Sequence, residues 1–136
     1  MTAAIHRCLE QWHVAMQHDG GPKLDALDNL IHDGCVFYSP VVFTPQRGGE
    51  ITRLYLFAAA ATLGGNDFRY TSEVVTGNRA VLEFETIVDG KTVNGVDIIT
   101  CDDEGRIVEF KVMVRPLQGM NAVHQAMMAM LEQMSP

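Results

Sequence analysis

The chain opens on an amphipathic pattern. Ile5, Leu9, Trp12 and Met16 recur at intervals of four, three and four, which predicts a helix over Ala3–Gln17, with Thr2 as N-cap and Gly20-Gly21-Pro22 as its stop. Leu24, Leu27 and Leu30-Ile31 suggest a second short helix over Lys23–His32, ended by a turn at Asp33-Gly34. Cys35–Phe43 is β-branched and aromatic and reads as an extended segment interrupted at Pro40. A loop, Thr44-Pro45-Gln46-Arg47-Gly48-Gly49, leads to a third helix over Glu50–Leu63, whose stripe is Ile51, Leu54, Tyr55 and Ala58. From Phe68 onward the period changes to two. Phe68–Thr76, Ala80–Val88, Val93–Cys101 and Ile107–Val114 read as four strands, joined by turns at Gly77-Asn78, Asp89-Gly90 and Asp102–Gly105 that make successive strands antiparallel. A last helix runs over Gly119–Met134, with Met120, Val123, Met127, Met130 and Met134 three or four apart. Helices, then a bent antiparallel sheet, then a closing helix make an α+β domain over residues 1–136.

Alternation sorts the strand residues into two faces. Phe110, Val112 and Val114 share one face of the last strand, and Leu82, Phe84 and Thr86 share one face of the strand ending at Asp89-Gly90. The opposite faces carry Glu109, Lys111, Met113 and Arg115, and Glu83 and Glu85, for which ordinary cross-strand pairing of Glu83/Glu85 with Lys111/Arg115 is the plain expectation. Val93–Cys101 is apolar on both phases near its centre, as in a strand covered on both sides. Asp97 lies in the middle of that run. A carboxyl there must be paired, hydrogen-bonded or protonated. General acids, general bases and oxyanion-stabilising carboxylic acids arise in such a setting; the alternative is an Asp facing a neighbouring Arg or capping a bulge at Gly95.

Composition narrows the function classes. With 136 residues, 47% hydrophobic and 20% charged, the chain is long enough for a core without disulfide or metal staples. Ten Lys/Arg against 17 Asp/Glu, net charge −7 and no basic cluster leave no footprint for nucleic acid. The longest apolar run, Leu54–Ala61, is too short to span a membrane, and the N-terminal residues lack a secretory core, so a cytoplasmic protein is expected. Cys8, Cys35 and Cys101 form no CxxC pair and read as reduced thiols. The five His show no metal-ligand spacing, and no nucleotide or flavin motif occurs, so neither metal nor cofactor is expected. Five of the eight Met (Met120, Met127, Met128, Met130, Met134) fall in the last seventeen residues, where flexible thioethers suit core filling or a lid.

Trp12 in the first helix, Tyr38-Ser39-Pro40-Val41, Gly49-Glu50-Ile51 with Tyr55, Val96-Asp97 and Asp102-Asp103-Glu104-Gly105-Arg106-Ile107 occur in the order seen in the nuclear transport factor 2-like superfamily, which the chain resembles over nearly its whole length. Ketosteroid isomerase, limonene epoxide hydrolase and SnoaL-type polyketide cyclases belong to it. The resemblance implies a cone-shaped barrel of strongly bent sheet wrapped around N-terminal helices, a deep apolar pocket, and a homodimer through the outer sheet face. Ketosteroid isomerase keeps its oxyanion-hole aspartic acid where this chain has Asp97, a supporting tyrosine at Tyr55, and its oxyanion-hole tyrosine near Trp12. Its general base would stand at Ser39, whose hydroxyl cannot abstract a proton unaided. Limonene epoxide hydrolase has a catalytic aspartate where this chain has Phe110-Lys111-Val112.

Three readings follow. One is an isomerase, cyclase or hydrolase acting on a small hydrophobic molecule, with Asp97 catalytic and Trp12, Ser39, Tyr55, Leu82, Phe84, Ile99, Phe110, Val112 and Val114 binding the ligand. Another is a non-catalytic binder of such a molecule. The third is a protein-interaction scaffold using Glu83, Glu85, Lys111, Met113 and Arg115. His13 is expected in solvent, Tyr38 on the outer sheet face, and Arg115 beside an outer-face carboxylate.

Overall fold

The computed structural model describes residues 3–16, 27–63 and 67–134. Its elements are α1 (Ala4–Met16), β1 (Ile31–Tyr38), β2 (Gln46–Arg47), α2 (Gly49–Leu63), β3 (Arg69–Thr76), β4 (Arg79–Val88), β5 (Lys91–Cys101), β6 (Ile107–Arg115) and α3 (Leu117–Met134). The six strands form one curved, unclosed sheet in the order β2-β1-β6-β5-β4-β3. Helices pack on its concave side, which holds the core. Every neighbouring pair is antiparallel except β1 and β6, which run parallel, so the sheet is mixed rather than purely antiparallel. The whole of α2 and β3–β5 lies between those two strands in the chain, ample length for a parallel return.

The short helix expected over Lys23–His32 is largely corrected. Residues 23–26 lie outside the described residues, and Leu27 and Asp28 are helical, but the chain is already a strand at Ile31. The reason is a backbone tie: the Ile107 N–H donates to the Leu30 carbonyl at 2.7 Å, and Ile31 pairs with Ile107. Asp33-Gly34 is therefore no helix stop. It sits where the β1–β6 register slips, with the Gly34 N–H donating to His32 Nδ1 at 2.9 Å. β1 ends at Tyr38, short of Phe43, because Pro40 has no N–H for a ladder and the Val41 N–H donates to Ser39 Oγ at 3.2 Å. α3 begins two residues before Gly119, at Leu117. No helix among the described residues is long and apolar enough to cross a membrane.

Burial follows the period of two. Ala80, Leu82, Phe84, Thr86 and Val88 of β4 are buried, and so are Val93, Gly95, Asp97, Ile99 and Cys101 of β5. They pack against Ile5, Leu9 and Trp12 of α1, Leu56 and Ala58 of α2, and Val123 and Met127 of α3. Val96 and Ile98 fall on the outer face and are only half-buried, so β5 is not covered on both sides within this chain. The expected pairing of Glu83/Glu85 with Lys111/Arg115 does not form. β5 lies between β4 and β6, which separates the two sets by about 10 Å, two strand spacings. Glu85 meets Arg69 at 3.2 Å, Glu83 accepts from the Asn94 amide at 3.0 Å, and Lys111 Nζ lies 5.0 Å from the centre of the Tyr38 ring.

Gly95 is a steric requirement. It faces Phe84 across the β4–β5 ladder, and a Cβ there would stand 2.5 Å from the Phe84 ring and 2.7 Å from the Met113 carbonyl oxygen. Overpacking of this kind costs about 1–3 kcal/mol. Gly95→Ala is expected to lower the unfolding free energy by about 2 kcal/mol in urea denaturation. Adding Phe84→Leu should recover only part of the loss, since the carbonyl clash remains.

Candidate functional site

Asp97 lies in register between Leu82 of β4 and Val112 of β6, near the centre of the sheet, and is 7% exposed. Neither flanking residue can donate a hydrogen bond from its side chain. The donor comes from the sheet edge: the Tyr70 hydroxyl donates to Asp97 Oδ2 at 2.9 Å. Tyr70 belongs to β3, a strand otherwise mostly exposed, and the ladder to β4 slips between Tyr70 and Ser72. Such bulges re-aim side chains, and here the phenol faces the concave side. Phe68, two residues earlier, packs edge-on against Tyr70 at 5.0 Å and stacks on Phe84 at 5.3 Å.

The Trp12 indole N–H donates to the Tyr70 oxygen at 3.0 Å, and its ring lies 4.9 Å from Phe110. Indole nitrogen only donates, so the direction of the chain is fixed: Trp12 gives to Tyr70 and Tyr70 gives to Asp97. Burial pushes the Asp97 carboxyl up to about 7, partly opposed by the Tyr70 hydrogen bond. Tyr70 is itself held well above the usual phenol value, first by burial and then by the charge of Asp97, so it stays a neutral donor. Asp97 Oδ1 has no hydrogen-bond partner among the described residues.

Both groups line a cavity of about 130 Å³. α1 contributes Trp12 and Met16, and α2 contributes Leu56, Ala59, Ala60 and Leu63. Phe37 and Ser39–Val41 form another part of the wall, the sheet adds Phe68, Phe84, Phe110, Val112 and Val114, and α3 adds Val123 and Met127. Of the residues named from sequence, Trp12, Ser39, Phe84, Asp97, Phe110, Val112 and Val114 are thus brought together. Leu82 and Ile99 sit fully buried in the core, and Tyr55 packs against Phe37 at 5.3 Å; none of the three is on the wall.

Tyr70, which lines the cavity and donates to Asp97, was not among the residues named from sequence, although its alternation with Phe68 carried the signal. His13 also departs from expectation. It is not free in solvent but half-buried, with Nε2 3.0 Å from Glu73 Oε1 and its ring edge-on to Tyr70 at 5.4 Å. Of the clustered methionines, Met127 reaches the wall, Met130 packs against the core and Met128 is exposed. Burial raises the Cys8 thiol to about 12 and the Cys35 thiol to about 11, so neither is a nucleophile at neutral pH. Among the described residues no group of three or more His, Cys, Asp or Glu is placed to hold a metal.

The SnoaL-like domain model matches residues 9–110. The chain belongs to the SnoaL-like domain family. A solved steroid delta-isomerase from Pseudomonas aeruginosa is 32% identical, with a TM-score of 0.89 over 98% of this chain and 95% of that one. An uncharacterised bacterial protein with a cystatin-like fold from Silicibacter pomeroyi is 24% identical, with a TM-score of 0.80 over 93% and 86%. A nuclear transport factor 2-like protein of unknown function from Mesorhizobium loti is 28% identical, with a TM-score of 0.68 over 83% and 92%. A search of the curated proteins finds no match. These likenesses place this SnoaL-like domain in the nuclear transport factor 2-like superfamily.

A carboxyl raised from 3.8 to about 7 binds its proton more tightly in the folded protein than in the unfolded chain. Its contribution to stability is therefore complete below about pH 4 and is lost as pH rises through 7. In urea denaturation across pH 4–8, wild type is expected to lose on the order of 4 kcal/mol relative to Asp97→Asn, the equivalent of about three pKa units. A difference that stays constant across that range contradicts a buried, titrating Asp97.

Proposed function

We propose that the protein is a cofactor-independent acid–base catalyst acting on a small, largely apolar, carbonyl-bearing molecule, with Asp97 as the proton carrier. One observation carries this reading: an apolar cavity has, among its described lining residues, one carboxyl, held by one phenol and pushed by burial up to about 7. A group with that balance can both take and return a proton. Ionised Asp97 removes a proton from a carbon next to the carbonyl, and the C–H electrons move into the adjoining C–C bond as the carbonyl oxygen gains charge. Return of the same proton at the far carbon of the conjugated system restores the carbonyl and Asp97. The net change is an isomerisation that needs no oxidant, water or second substrate. Tyr70, oriented by Trp12, keeps Oδ2 engaged and leaves Oδ1 for the substrate. The 32% identical Pseudomonas aeruginosa protein, described as a steroid delta-isomerase, supports the reaction class.

A second reading, capture of a hydrophobic molecule without chemistry, is favoured by the state of Ser39. Its hydroxyl accepts from the Val41 N–H, and Asp97 is the only carboxyl among the described residues of the wall. In either case a homodimer through the outer sheet face accounts for Val74, Ile87 and Met113, which lie 60%, 50% and 51% exposed on that face.

The test uses 3-cyclohexen-1-one, whose conjugated product absorbs in the ultraviolet. Wild type is expected to accelerate the conversion, with kcat/KM rising through a midpoint near pH 7. Asp97→Asn should lower kcat by about 10²–10⁴-fold, and Tyr70→Phe should move the midpoint upward, since the phenol's hydrogen bond favours the ionised carboxyl. Equal rates in wild type and Asp97→Asn would defeat the catalytic reading. An intact ligand that co-purifies with both proteins in native mass spectrometry, without turnover, would establish the binding reading.

A further inference from the structure

Among the described residues Asp97 has no cationic partner. The ion pairs among the described residues are His13–Glu73, Arg53–Asp28 and Arg69–Glu85, and none involves the cavity. No Lys, Arg or His is among the described residues of the wall. The elements packed around the carboxyl present it with apolar side chains: Trp12 from α1, Leu82 from β4, Val112 from β6, and the aliphatic residues of α2 and α3. Among the described residues its one ionisable neighbour is Tyr70 of β3, and the His13–Glu73 pair meets Tyr70 rather than Asp97. A buried carboxylate in such a place is neutralised either by a proton or by a cation brought from outside.

The wall suits a cation with a hydrocarbon body. Among the described residues, six aromatic side chains line it: Trp12, Phe37, Phe68, Tyr70, Phe84 and Phe110. They form two runs of neighbouring rings, Phe84–Phe68–Tyr70 and Trp12–Phe110–Phe37, joined by the Trp12–Tyr70 hydrogen bond. Aromatic faces attract ammonium groups and also bury alkyl and aryl groups, whereas an aliphatic wall does only the second. The volume, about 130 Å³, compares with the cavity of about 150 Å³ that holds benzene in another protein.

We propose that the cavity binds small organic ammonium ions, the ammonium pairing with Asp97 and the apolar body lying among the six aromatic rings. This shares with the reading above the premise that Asp97 is the functional group of the cavity, but it requires no turnover. Pairing needs the ionised carboxyl, so affinity rises with pH through the Asp97 titration for as long as the amine keeps its proton.

Benzylamine and its uncharged counterpart of equal size, ethylbenzene, test the proposal by calorimetric titration at pH 6 and pH 8. Wild type should bind benzylamine about tenfold more tightly at pH 8 than at pH 6, as a carboxyl titrating near 7 requires. Ethylbenzene should bind no better at pH 8 than at pH 6. In Asp97→Asn, benzylamine should lose at least tenfold at pH 8 together with its pH dependence, while ethylbenzene binding persists and shows that the cavity is intact. The proposal is overturned if wild type binds neither compound, if it binds ethylbenzene but not benzylamine, or if benzylamine affinity is the same at both pH values. The wild-type comparison stands even if the variant does not fold. Isomerisation of the cyclohexenone without pH-dependent benzylamine binding overturns this inference alone; benzylamine binding without isomerisation overturns the catalytic reading and leaves this one standing.

Discussion

The 2.9 Å hydrogen bond from Tyr70 to Asp97 sets the chemistry of the cavity, because among the described residues it is what offsets the burial of a carboxyl among apolar side chains. Remove the cavity and Asp97 becomes an ordinary surface acid; add a second strong donor or a cation and its proton leaves well below neutral pH. The fold maintains the intermediate case. β5 runs between β4 and β6, so Leu82 and Val112 flank the carboxyl. β3, at the edge, supplies the single phenol through its bulge, and α1 fixes the direction of that phenol's hydrogen bond through Trp12. Three elements distant in sequence thus converge on one titration.

That arrangement is costly for folding near neutral pH. A carboxyl that prefers its proton in the native state withdraws stability as it ionises. The surrounding packing has to supply the difference. Phe84 over Gly95, Trp12 against Phe110 and the fully buried Leu82 and Ile99 are where it does so, at about 1.5–3 kcal/mol for each large apolar side chain enclosed. The rings that form the wall therefore serve two ends: they stabilise the sheet against the helices, and they keep the dielectric around Asp97 low.

The strand half of the fold was readable because its alternation is strict. Phe84, Asp97, Phe110 and Val112 share the inner face in the sequence pattern and in the structure alike. Leu82 and Ile99 share that phase too, yet phase alone cannot tell a residue on the cavity wall from one behind it. Tyr70 escaped because its strand looks polar; only the pair Phe68 and Tyr70 betrays an inner edge, and the bulge that aims the phenol has no turn residue to announce it. The segment Leu30-Ile31-His32 reads as helical from local spacing, but the backbone pairing with Ile107 overrides it. Cross-strand charge pairs depended on strand order, which alternation does not encode: β5 stands between the residues expected to meet.

The central claim is that Asp97 titrates near neutrality inside the cavity. It is tested most directly by carbon-13 NMR of the side-chain carboxyl in aspartate-labelled protein across pH 3–9, with the resonance assigned by its absence in Asp97→Asn. The account predicts one aspartate resonance with a midpoint near pH 7. An Asp97 midpoint near the ordinary value of about 4 would contradict it.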